Sequence, residues 1–153
     1  MSYQIQVFKC RLVRDGKITV AADDVDCANS AARVLLESLS GLPHEELHAV
    51  YLNTRGKVIG VSRVAQGGLS GCGVLAREAL RGAILANAAA VVLGHNHPSG
   101  DPTPSPDDVE MTRHMMKAGE AVGVTVLDHL VVCPENGRWR SINDVLEIAA
   151  VLP

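Results

Sequence analysis

The sequence predicts an α/β protein in which helices flank a central mixed β-sheet. Apolar runs of strand length alternate with segments of helical periodicity along the chain. Two turn signals, Asp15-Gly16 and Asn53-Thr54-Arg55-Gly56, join neighbouring strands and put antiparallel pairs into the sheet. The 153 residues suit one domain, with enough chain to bury a core.

Taken in order, residues Tyr3 to Val13 alternate well enough for a strand, through Ile5, Val7 and Leu12, and Ile18-Thr19-Val20 returns as its hairpin partner. Asp26 or Asn29 can cap a helix through Leu39, which Gly41 and Pro43 stop. A second hairpin follows, Leu47 to Leu52 and then Val58 to Val64. Gln66 to Gly73 is glycine-rich but lacks the Lys-Ser/Thr ending of a phosphate loop and the spacing of a dinucleotide fingerprint. It reads as a flexible loop lining a cleft. A helix over about Val74 to Asn87 leads into Ala88 to Gly94, a buried strand by its unbroken apolar run. Ser105-Pro106-Asp107-Asp108 has the order of a helix start: cap, first-turn proline, then two acids. That helix runs to Val122, and its methionines read as core filler. Val124 to Val132 is an apolar strand with Asp128-His129 embedded. Asn136-Gly137 is a turn, Trp139 a core-edge residue, and Ser141 a cap for a last helix over Ile142 to Ala150.

Composition narrows the function. Net charge is −3 with the basic residues dispersed, which is not the footprint of a nucleic-acid binder. Cys10, Cys27, Cys72 and Cys133 are far apart with no CxxC pair, so they suggest neither a zinc framework nor a disulfide scaffold. Buried thiols in a reducing compartment are the expectation. The first residues lack a signal peptide's pattern, and no stretch reaches the length of a membrane span. A cytoplasmic protein without a membrane partner is expected.

The chemistry concentrates at His95-Asn96-His97 and, eleven residues on, Asp108. In extended backbone, positions i and i+2 point the same way, so the two imidazoles leave the strand end together. Two histidines and a carboxylate suit Zn²⁺, and three protein ligands with an open position is the catalytic arrangement. The bland alternatives are turn histidines satisfied by carbonyls and an Asp108 that serves only the helix end, at the acidic position of a capping box.

His95-x-His97, seven residues, then Ser105-x-x-Asp108 resembles the JAMM signature of JAB/MPN+ zinc metallopeptidases. The wording from His95 to Ser105 is similar to the RadC-like bacterial branch, and the likeness extends from Tyr3 to about Ile142. Without the helix-hairpin-helix front domain of longer RadC proteins, the chain is expected to be a stand-alone JAB domain, residues 1–153. The resemblance implies a JAB/MPN (cytidine-deaminase-like) fold. It implies one Zn²⁺ held by His95, His97 and Asp108, and a Ser105 hydroxyl that stabilises an oxyanion. It also implies an upstream glutamate as general base. Glu45 takes that place and Glu46 is the register alternative; they point to opposite faces, so only one can reach the site. His44 and His48 flank them as exposed or outer residues. His129 is expected beside the site rather than as a fourth ligand, which would close the position that catalysis needs. The implied activity is hydrolysis of a peptide or isopeptide bond. A protein or peptide substrate, including a ubiquitin-like conjugate, follows only by analogy of fold. A DNA-repair-associated accessory protein and a non-catalytic zinc-binding module are the alternative readings. A deaminase is disfavoured because the H-x-E…P-C-x-x-C signature is absent.

Overall fold

A computed structural model describes residues 2–21, 23–67 and 74–151; the side chains of 148–151 are not described. The glycine-rich loop expected to line a cleft lies mostly outside the described residues, as does Cys72. The order is α1 (Ala28–Ser38), β1 (Glu46–Leu52), β2 (Val58–Gln66), α2 (Ala76–Leu85), β3 (Ala90–Asn96), α3 (Pro106–Val122), β4 (Thr125–Cys133), β5 (Arg138–Ser141) and α4 (Ile142–Val151). The strands form one sheet in the order β2-β1-β3-β4-β5. The neighbours β1/β2, β1/β3 and β4/β5 are antiparallel, and β3/β4 is parallel. The sheet is therefore mixed, as expected. A parallel pair needs a crossover, and α3 supplies it.

The strand period of two sorts side chains onto two cores. Leu47, Ala49 and Tyr51 of β1 join Val91 and Leu93 of β3, with Ala79, Leu80 and Ala83 of α2 and Met111 and Met115 of α3. Val50, Leu52, Val92, Leu130 and Val132 pack on the other face against Val34 and Leu35 of α1. Trp139 is partly buried at the edge of this second core. Met111 and Met115 are core residues and Met116 packs against them partly buried, as expected of core filler.

The predicted first hairpin is absent. Residues 2–20 carry no regular structure, and Tyr3, Ile5, Val7, Phe8 and Val13 are exposed. Alternation alone does not make a strand; it must find a ladder partner, because its backbone groups need one. The pairing found near this segment is the bridge Asp24↔Lys57, beside the start of β2. The expectation of buried thiols holds for Cys133 and fails for Cys10 and Cys27, which are exposed. Strand β5 was not predicted, for at four residues of sequence Arg-Trp-Arg-Ser it shows little apolar pattern. Among the described residues no helix is long and apolar enough to cross a membrane.

Candidate metal centre

The site forms where the C-terminal end of β3 meets the N-terminus of α3. His95 lies on β3 and His97 just past it. Gly100, at φ +78°, turns the chain back so that α3 starts beside them. Ser105 is the N-cap of α3, with Pro106 in its first turn. A capping box closes it: Asp108 N–H donates to Ser105 Oγ (3.2 Å), and Ser105 N–H and Oγ–H both donate to Asp108 Oδ2 (2.7 Å each). The two readings of Asp108 are therefore compatible. Oδ2 serves the helix end, and Oδ1 is left 3.6 Å from His95 Nε2. One ligand atom each from His95, His97 and Asp108 lies within 4.8 Å of the other two, and no other such group of three occurs among the described residues.

The proton positions follow from the partners. His97 Nδ1 faces the Asp101 carbonyl at 2.8 Å; a carbonyl only accepts, so Nδ1 carries a proton, and Nε2 is the atom that a neutral ring leaves bare. His95 Nδ1 contacts His129 Nε2 at 2.8 Å, and its own Nε2 lies 3.0 Å from His97 Nε2. Burial pushes the His95 pKa down to about 4, Asp108 partly opposing and His97 adding to the fall. Burial, then the neighbouring His95 and His97, puts His129 well below its ordinary value. Both rings are neutral near pH 7. In the His95 tautomer that carries its proton on Nδ1, two lone pairs and one carboxylate oxygen converge on one point. A cation fits this donor set. Two bonds of about 2.0–2.1 Å in a tetrahedral zinc site separate the nitrogens by roughly 3.3 Å, close to the spacing present.

Glu45 and Glu46 part as the strand period demands. Glu45 Oε1 lies 4.0 Å from His97 Nε2, and its side chain is 35% exposed. Glu46 is buried on the α1 side, between His44 and His48 at 3.0 Å each, with Arg63 at 3.6 Å. Burial pushes the Glu46 carboxyl up, but hydrogen bonds from His48 and His44 and the charge of Arg63 outweigh it, and the net shift is downward. His48, expected to be exposed or near the site, is instead buried against Ser38 and Glu46 on that opposite face.

Asn96 is expected from its place between the ligands to face away from the metal and hold the loop, and it does; Thr112 was not anticipated. Asn96, between the two histidines, turns to the α1 side, accepts from Glu46 N–H (2.8 Å) and donates to the His44 carbonyl (3.0 Å). It thereby holds the backbone on both sides of Glu45. Thr112 stands at helical spacing from Asp108, Met111 and Met115, which puts it on the buried face of α3, but its contact with His129 appears only in the fold. Asp128 does not touch the site. It accepts from Ser141 Oγ and the His129 and Asn143 N–H groups, and so fastens the start of α4 to β4.

The fold and the cluster define a JAB-type α/β domain with a metal-compatible His–His–Asp centre. Comparison makes this particular: residues 25–145 match the RadC-like JAB domain, and the chain belongs to that family. The matched region leaves residues 1–24 outside it. The chain is 44% identical over 102 residues to a UPF0758 protein of Desulforudis audaxviator, covering 67% of this chain and 44% of that protein. It is 41% identical over 113 residues to one of Moorella thermoacetica, covering 74% and 48%. It is 46% identical over 110 residues to UPF0758 protein STH371 of Symbiobacterium thermophilum, covering 71% and 47%. The chain thus spans about half the length of the curated relatives it matches. Their names carry no activity.

Proposed function

We propose that this domain is a zinc-dependent hydrolase of peptide or isopeptide bonds, with His95, His97 and Asp108 as the metal ligands and Glu45 as the general base. The observation that carries the reading is the convergence of two imidazole lone pairs and Asp108 Oδ1 beside a half-open carboxylate. Zinc held there would supply Lewis acidity, lowering the pKa of water from about 15.7 towards roughly 7 and polarising a carbonyl. Glu45 stands on the solvent side, next to His97. It takes the proton from the attacking water and passes it to the leaving amine. Ser105, its hydroxyl turned from Asp108 Oδ2, donates to the oxyanion that forms as the amide is attacked. His95 and Asp108 are almost fully buried, so substrate approaches over Glu45 and His97. The substrate class is a protein or peptide amide.

The test begins with metal content after purification without added metal. About one zinc per chain, lost in His97→Ala, supports the centre, and no metal in either protein sinks it. Glu45→Gln should then keep its zinc while hydrolysis in a peptide and isopeptide screen falls at least about 100-fold. Bound zinc with no turnover of any substrate would leave a non-catalytic zinc module.

A further inference from the structure

Behind the ligands runs a buried chain of hydrogen bonds that the hydrolytic reading does not use. His95 Nδ1 meets His129 Nε2 at 2.8 Å, His129 Nδ1 meets Thr112 Oγ1 at 2.7 Å, and Thr112 Oγ1 meets the Asp108 carbonyl at 2.7 Å. His129 and Thr112 have no exposed surface, and His95 has 1%.

The Thr112 donor sets the proton order along this chain, and it leaves the Nε2 atoms of His95 and His97 bare 3.0 Å apart, two lone pairs that a cation would bridge. The Asp108 carbonyl can only accept, so the Thr112 hydroxyl donates to it, four residues back along α3. A hydroxyl has one proton. With it spent, Thr112 Oγ1 must accept from His129 Nδ1–H. A neutral ring has one N–H, so His129 Nε2 is an acceptor and His95 Nδ1 donates to it. His95 Nε2 is then bare and faces His97 Nε2 and Asp108 Oδ1. The opposite order would leave two oxygens 2.7 Å apart with no proton between them. It would also put a proton on His95 Nε2, where the metal should bind.

We propose that Thr112 and His129 are positioning residues that lock His95 in its Nδ1–H tautomer, so that the metal-ligating nitrogen is open before the metal arrives. The lock starts from the carbonyl of Asp108 itself, and so ties the ligand on β3 to the ligand on α3. A second histidine is an uncommon partner for a ligating histidine, since it is itself ambiguous; Thr112 removes the ambiguity.

The inference rests on the metal-centre part of the proposed function and not on turnover. Its test reads tautomers directly, by ¹⁵N NMR of the histidine rings in metal-free protein, together with zinc affinity by chelator competition. In the wild type, His95 and His129 should both be protonated at Nδ1. Thr112→Val should lose that uniform pattern and bind zinc about 10- to 100-fold more weakly. Thr112→Ser, which keeps the hydroxyl, should stay within about threefold of wild type. A wild-type His95 protonated at Nε2 overturns the proposal, as does a folded Thr112→Val with wild-type tautomers and zinc affinity. If Thr112→Val does not fold, the wild-type tautomers and Thr112→Ser still decide. A chain with this pattern that cleaves nothing would remove the hydrolase reading and leave the lock intact.

Discussion

At the residue scale the site depends on alternation continued past the ends of the strands. Leu47 is paired with His95 in the β1/β3 ladder, and one step on the ladder is replaced by Asn96. Its amide does what a backbone group would do, accepting on one side of Glu45 and donating on the other. Because Asn96 faces α1, His95 and His97 face the site; because Glu46 faces α1, Glu45 faces the site with them. Asn96→Ala removes both bonds without touching a ligand. We expect zinc stoichiometry to stay at the wild-type level while kcat falls about 10-fold or more and KM changes little, the base being misplaced rather than the substrate. Equal kcat in the two proteins would show that β1 alone sets Glu45. Much of this was legible in the sequence: the His-x-His spacing, the capping-box position of Asp108 and the opposite facing of Glu45 and Glu46 are all consequences of local periodicity. Thr112 and the α1-side cluster around Glu46 were not legible, because they join residues far apart in the chain. His129 was placed near the site only through family likeness.

At the element scale, β3 must lie close to α1 for the histidines to sit at the right height. Gly94, the residue before His95, is where they touch: a Cβ there would come within 2.5 Å of both Leu35 methyl carbons. Leu35 is fully buried, so it cannot swing into solvent. Gly94→Ala should cost about 1–3 kcal/mol by overpacking, and the relief should come partly from shifting β3. We therefore expect lower stability in urea together with weaker zinc binding. Loss of stability with unchanged zinc affinity would mean that α1 yields instead. Elements with a strong single period were the readable ones; α1, α3, β3 and β4 fall where their apolar spacing puts them. The first hairpin failed for a reason visible at the same scale. Ile5 and Val7 have the period of a strand, Leu12 is out of phase with them, and a period does not specify a partner.

For the whole molecule, two buried carboxylates hold distant elements together and pull its acid stability in opposite directions. Asp128 joins β4 to the start of α4, and burial, only partly offset by Ser141 and two backbone N–H groups, raises its pKa. Glu46 joins the segment before β1 to β2 through His44 and Arg63, and to the end of α1 through His48 and Ser38; its net shift is downward. The signs follow by linkage. A carboxyl whose folded pKa lies below its unfolded value gives stability that is present above the unfolded value, here 4.5, and is lost as pH falls through the folded one. A raised carboxyl such as Asp128 does the reverse, and the folded state gains as it takes up its proton. A wild-type acid curve mixes the two, so the Glu46 part is read by difference. Glu46→Gln keeps the shape and one acceptor but cannot carry the charge that His44, His48 and Arg63 face. It should be less stable than wild type by about 1–3 kcal/mol at pH 7. That gap should hold down to about pH 5 and close progressively below pH 4.5, as the wild-type Glu46 is protonated. Denaturant unfolding of both proteins from pH 7 to pH 3 measures it. A gap that stays constant across that range would mean that the shape of Glu46, and not its charge, binds α1 and β2 to the strand that presents Glu45.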